Sequence, residues 1–285
     1  MKNILVTGSL HYDIMLDAHH RPEKGETVMG TACDYKFGGK GGNQAIAAAQ
    51  AGAQVKFIGA VGEDDQGRFL IRHLEEAGVD ASAVQVVQGI PSGMSVAITD
   101  ADGDYGAVVV SNANLHIKPA RDQGPDFWDD VALLVLQNEV PSAVNLEIAQ
   151  AAHARGIPVC LNAAPARVLQ HELTACIELL VVNSVEARDM SGIQVVDLIT
   201  AQAAAEALSA TFARVVVTAG EHGVAFCEKG QSSVLPAIKV ELVSTHGAGD
   251  CFVGVLSQAL TNGADLATAV AIANRSAAIH VSRSL

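Results

Sequence analysis

The chain has 285 residues, 49% of them hydrophobic and only 17% charged, with a formal net charge of −13. That length and apolar content suit one large domain or two modest ones, and the acidic balance argues against a nucleic-acid or anionic-membrane surface, which needs a basic field. The apolar part of "MKNILVTGSLHYD" is too short for a signal segment, and no later run approaches the roughly 20 apolar residues of a membrane span.

In chain order, "NILVTGS" reads as a strand and "NQAIAAAQAGA" as a helix of small residues. "QVKFIGAVG" is a strand, "DQGRFLIRHLEEAGV" a helix, "VALLVLQ" a strand and "PSAVNLEIAQAAHARG" a helix. Strands at "PVCLNAA" and "ELLVVN" precede helices at "SVEARDMSG" and "LITAQAAAEALSA", and "RVVVTAG" is again a strand. "SSVLPAIKVELV" reads as a strand that leads through a glycine-rich turn into a helix after Asp250, with a last helix after Ala264. Continuous apolar strands alternating with helices predict an α/β fold with a mostly parallel sheet covered on both faces.

Two stretches break this rhythm, at about 15–39 and 92–114. Both read as β-ribbons, the second turning at "DADGD" with Gly103 as its special-φ residue. Paired, they would make one small sheet that projects as a lid over the C-terminal strand ends. Its exposed edge invites a second copy. The expectation is a single domain over 1–285 with this lid, forming a homodimer through it. Cys33, Cys160, Cys176, Cys227 and Cys251 are scattered, with no CxxC pair or Cys-His cluster. Reduced thiols in a cytoplasm are expected.

Two glycine-rich turns stand out. "GGKGGNQ" (38–44) is not a Walker A loop, because Gly41 follows Lys40 and Asp34 stands where the first glycine should be. "TGSLHYD" after the first strand is not a dinucleotide fingerprint. "STHGAGD" (Ser244–Asp250) opens a helix, and free amides at a helix N-terminus bind anions. Read alone, Asp250 is either a helix cap or a proton acceptor. In a parallel sheet the turns after strands gather at one end, here 8–13, 38–43, 137–139, 162–167, 183–186, 218–223 and 244–250.

Three ordered motifs, "GGKGGNQAIAAAQAGAQVKFIGAVGEDDQG", "NSVEA" and "STHGAGD", carry a resemblance that runs from about residue 4 to 283. The chain resembles a ribokinase-type sugar kinase of the PfkB carbohydrate kinase family. The resemblance implies a ribokinase-like three-layer αβα sandwich and ATP- and Mg²⁺-dependent phosphorylation of a sugar primary hydroxyl, with ribose, giving ribose 5-phosphate, the first choice. It makes Asp250 the general base and the amides of Gly247, Ala248 and Gly249 the anion hole. His11, Asp13, Gly39, Lys40, Asn43 and Glu139, with Asp250, would hold the sugar. Asn183, Glu186, Thr218, Gly220, Gly223, Gly249 and Asn274 would hold ATP, and Glu186 would hold Mg²⁺ through water. Asn183 and Glu186 also fit a helix capping box, and Asp13 a turn after the first strand. A nucleoside kinase of the same family and a non-catalytic sugar-binding regulatory protein are the alternatives; the second has no use for a base beside an anion hole.

Two departures carry expectations. His11 stands where ribokinases use an amide side chain, which puts the choice of sugar in question. Ser244 stands where the last signature usually begins with Asp, a position from which family members hold K⁺ behind the anion hole. A neutral hydroxyl there, and a sequence that stops at Leu285, predict weak K⁺ activation or none.

Overall fold

Along the first strand Ile4 and Val6 pack into one buried cluster and Leu5 into another. A strand whose side chains alternate between two cores must lie inside a sheet covered on both sides. The computed structural model describes residues 3–102, 105–118 and 124–282. Its strands, numbered in chain order, are β1 (Asn3–Thr7), β2 (His11–Ala18), β3 (Gly30–Gly38), β4 (Gln54–Gly62), β5 (Val79–Val87), β6 (Met94–Thr99), β7 (Tyr105–Val110), β8 (Val131–Gln137), β9 (Val159–Asn162), β10 (Leu179–Asn183), β11 (Arg214–Thr218), β12 (Gly223–Glu228) and β13 (Gln231–Pro236). The helices are α1 (Lys40–Gln50), α2 (Asp65–Glu76), α3 (Ser142–His153), α4 (His171–Thr174), α5 (Ser184–Ser191), α6 (Leu198–Leu208), α7 (Ala248–Thr261) and α8 (Leu266–Val281).

Nine strands form the main sheet in the order β13-β12-β11-β10-β9-β8-β1-β4-β5. Pairing is parallel from β11 through to β5, and β12 runs against its neighbours. Helices α1, α2, α7 and α8 bury their apolar faces on one side, with Ala45, Leu70, Leu74, Phe252, Leu256 and Val270 among the buried residues. Helices α3 to α6 cover the other side through Ile148, Ala152, Leu173, Ala187, Ala204 and Leu208. This is the expected three-layer α/β sandwich. No helix among the described residues is long and apolar enough to cross a membrane.

The two ribbons do pair into a second sheet, of order β3-β2-β6-β7. Their junction is parallel, β2 against β6. The sheet leans on α2 through an aromatic cluster in which Tyr12 meets Phe69 at 5.0 Å and Phe69 meets His73 at 4.0 Å between ring centroids.

The structure corrects four local expectations. The first ribbon begins at His11 rather than 15, so His11, Tyr12 and Asp13 lie in a strand and not in a turn after β1. The strand expected through "SSVLPAIKVELV" ends at Pro236, where proline removes a ladder donor, and residues 237–247 are irregular. Helix α7 starts at Ala248, before Asp250, so the acid sits in its first turn. The N-terminal helix starts at Lys40 rather than Asn43. The expected turn residue Gly103 lies outside the described residues.

Candidate active site

The floor of the site is made where α1 and α7 touch. A Cβ at Gly254 would stand 2.6 Å from Ala47 Cβ and 2.7 Å from Ala48 N, so only glycine permits this approach. One turn before Gly254, Asp250 is buried and faces α1. Its Oδ1 accepts from Gln44 Nε2 at 2.9 Å and its Oδ2 from Asn43 Nδ2 at 3.2 Å. Gln44 is itself fixed. Its Nε2 also donates to Asn162 Oδ1 at 3.0 Å, and its Oε1 accepts from Gln137 Nε2 at 2.9 Å. Burial raises the pKa of Asp250, as nearby Glu139 does more weakly, while Lys40 and the two amide donors pull it down.

Sequence reasoning missed this amide chain. Gln44 stands in the second turn of α1, Gln137 and Asn162 at the last positions of β8 and β9, and all are buried. One signal was available: Gln44 shares a helix face with the buried Ala48, so a polar group points into the core side.

The expected sugar residues gather around the junction of the two sheets. Glu139 Oε2 accepts from Ser9 Oγ at 2.5 Å and from the Lys40 backbone N–H at 2.8 Å, tying the start of α1 to the end of β8. His11 Nδ1 lies 3.9 Å from the same oxygen. The His11 ring is buried, and its Nε2 has no hydrogen-bond partner among the described residues. Asp13 shares the His11 face of β2, is buried, and accepts from Ser95 Oγ at 2.6 Å. Burial raises its pKa; the Ser95 bond and the His11 and His246 imidazoles oppose this. Gly38 leaves room for that carboxylate, since a Cβ there would be 2.0 Å from Asp13 Oδ2. Gly39, at φ 91, caps α1 and passes close to Ser9 O.

Among the expected nucleotide residues, Asn183 caps α5. Its Oδ1 accepts from Val185 N at 2.8 Å and Glu186 N at 3.1 Å, and Glu186 Oε2 returns to Asn183 N at 2.8 Å. The capping box is therefore formed, and it holds one Glu186 oxygen while the other makes no hydrogen bond to the described residues. Burial raises the Glu186 pKa, against Asn183 donors and the Lys40 charge. Thr218 ends β11 and donates to Val182 O at 3.4 Å. Gly220 (φ 55) and Gly223 (φ 121) shape the turn into β12. Asn274 donates to Pro236 O at 3.0 Å, which ties α8 to the end of β13.

The anion loop completes the site. Gly247 takes a left-handed conformation, φ 71, as the N-cap of α7 and has no capping side chain. The Gly247 and Gly249 N–H groups have no partner among the described residues and lie open beside Asp250, while Ala248 N donates to Thr245 O at 3.3 Å. Among the described residues no three His, Cys, Asp or Glu side chains group at metal-binding spacing. A buried base flanked by open amides, with a second carboxylate held at a nearby helix start, can activate a hydroxyl and stabilise a transferring anion.

Comparison with known proteins follows the same lines. The profile of the pfkB family carbohydrate kinases matches residues 1–285. A protein named ribokinase from Bacillus subtilis is 36% identical over 282 residues, covering 99% of this chain and 93% of that one. A deoxyribokinase from Salmonella typhi is 30% identical, covering 94% and 89%. The structure of Arabidopsis thaliana ribokinase complexed with ribose and ATP is similar with a TM-score of 0.91 and 27% identity, covering 100% of this chain and 94% of that one.

Proposed function

The chain belongs to the pfkB family of carbohydrate kinases, and from that premise we propose that it transfers the γ-phosphoryl group of ATP to the primary hydroxyl of ribose, giving ribose 5-phosphate. The observation that carries the reading is Asp250: a buried carboxylate in the first turn of α7, held by Asn43 and Gln44 and flanked by open amides. The similar proteins named ribokinase, one of them solved with ribose and ATP, support ribose as acceptor.

Asp250 accepts the proton of the attacking hydroxyl, which is a poor nucleophile while it keeps that proton. Gln44, locked between Gln137 and Asn162, holds Asp250 Oδ1 so that Oδ2 and its surroundings face the sugar. The open amides of Gly247 and Gly249 receive the charge spreading over the transferring phosphoryl group, and Ala248 joins them by giving up its 3.3 Å bond to Thr245 O. Asp13, His11, Lys40, Asn43, Gly39 and Glu139 read the sugar hydroxyls, and leaving such groups unpaired rejects wrong sugars. Asn183, Thr218, Gly220, Gly223 and Asn274 line the nucleotide side. Mg²⁺ is expected with ATP. Glu186 would hold it through water, since one of its oxygens is uncommitted and Mg²⁺ needs few protein ligands; when bound it screens phosphate charge.

The small sheet acts as a lid over this end of the strands. Its outer strand β7 exposes Val108, Val109 and Val110, which supports a homodimer formed through the lid. All five cysteines are free, which supports a reducing, cytoplasmic setting. His11 favours a second reading, an acceptor whose hydroxyl pattern differs from ribose, because an imidazole is bulkier and places its single N–H and its bare nitrogen at separate ring positions, where an amide presents donor and acceptor side by side. The test is ADP release with ATP and a panel of pentoses, deoxypentoses, hexoses and nucleosides. Ribose leading the kcat/KM ranking is the expected result. A nucleoside at the top, or no accepted substrate, would refute it.

A further inference from the structure

The stretch that leads into α7 is fastened to the end of α8. Val281 O accepts from Val243 N at 2.8 Å and from Ser244 N at 3.2 Å. One residue earlier, His280 Nε2 lies 2.9 Å from the His246 carbonyl. A carbonyl oxygen only accepts, so Nε2 carries the hydrogen. The ring also backs Gly247, where a Cβ would stand 3.3 Å from His280 Nε2.

The His246 carbonyl and the Gly247 N–H belong to one peptide unit. A hydrogen bond given to that carbonyl polarises the unit and makes its N–H a stronger donor. The Gly247 N–H has no partner among the described residues and opens the α7 N-terminus. A K⁺ ion behind this loop does not fit the residues present. Ser244 offers a neutral hydroxyl that already accepts from His246 N at 3.2 Å, and the His246 carbonyl already faces an N–H.

We propose that His280 is a positioning residue for phosphoryl transfer, whose Nε2–H, acting through the His246–Gly247 peptide, orders and polarises the anion loop in the place of a monovalent cation. The inference rests on the kinase reading above. It assigns a role to a side chain 30 residues beyond Asp250 that acts through a backbone peptide.

His280→Leu removes the donor at similar size, and His280→Gln returns an N–H near the position of Nε2. Three measurements decide: steady-state kinetics, affinity for ADP alone and for ADP with aluminium fluoride and ribose, and kcat in KCl against tetramethylammonium chloride at fixed ionic strength. His280→Leu is expected to lower kcat about tenfold, the factor carried by one hydrogen bond of ordinary net strength, with both KM values within about twofold. It should weaken the aluminium fluoride complex by a similar factor but leave ADP affinity unchanged. His280→Gln should recover most of the loss, and wild-type kcat should be flat in K⁺. Wild-type kcat and analogue affinity in His280→Leu would overturn the proposal. So would a loss that Gln does not recover, or a saturable rise of wild-type kcat with K⁺. Failure of the wild type to phosphorylate any sugar refutes the kinase reading instead, and the two failures are separate because analogue affinity is measured without turnover.

Discussion

Asp250→Asn keeps the size of the side chain and removes the lone pair that takes the proton. In the wild type Oδ1 faces Gln44 Nε2 and Oδ2 faces Asn43 Nδ2. Gln44 cannot turn round, because its own amide is committed to Gln137 and Asn162. The new amide therefore points its oxygen at Gln44 and its nitrogen at Asn43, whose half-buried side chain flips to accept. One hydrogen bond is kept and one is reversed, so the fold loses little. The charge term favours the variant. Burial holds the Asp250 pKa above its ordinary value, so the folded state binds this proton more tightly than the unfolded chain. Its stabilising contribution is full below the unfolded pKa and is lost as pH rises through the folded one. At pH 7 a neutral amide relieves the cost of a buried carboxylate, and Tm should be at or above that of the wild type. The rate behaves oppositely. Loss of a positioned base costs about 10²–10⁴ in kcat, or roughly 2.7–5.4 kcal/mol in the barrier. In the wild type the same raised pKa should place the acid limb of kcat above the usual carboxylate range. The assay is coupled ADP release with ribose and ATP, beside thermal unfolding of both proteins. A variant with near-wild-type kcat would refute the assignment of the base, and a variant that loses rate only by unfolding would refute the argument about burial.

His11→Asn should reorder the sugars by kcat/KM, because it replaces a buried ring whose Nε2 is unpartnered; an unchanged ranking places His11 outside the pocket. Glu186→Gln keeps an acceptor for Asn183 N, so Tm should hold, while the Mg²⁺ concentration giving half-maximal rate should rise about tenfold or more; an unmoved Mg²⁺ dependence contradicts its assignment. Val108→Glu puts a charge on the 67% exposed edge-strand valine and should convert the expected dimer to monomer in sedimentation at micromolar concentration; a wild type that sediments as monomer removes the dimer altogether.

The sequence by itself determined the elements and the chemistry that lies within single turns. Apolar runs in β1, β8 and β10 announce strands covered on both faces because side-chain alternation is a local property. The Asn183–Glu186 capping box is local for the same reason, its partners lying three residues apart, and so are the amides that a glycine-rich helix start leaves open. The ribbon boundary at His11 escaped it, since pairing across strands, not propensity, sets where a strand begins; the end of β13 was legible in Pro236, which removes a ladder donor. The rest of the site was decided by the tertiary structure. Asp250 meets Gln44 across 206 residues, Ser9 meets Glu139 across 130, and His280 meets His246 across 34. The first two contacts exist because the sheet order brings β1, β8 and β9 side by side and because Gly254 lets α7 settle against α1, and the third because α8 returns along α7 to the loop that precedes it. Residue types state which groups are present; the packing of helices on the sheet fixes which of them touch, and at hydrogen-bond range a shift of one ångström separates a held base from an idle carboxylate.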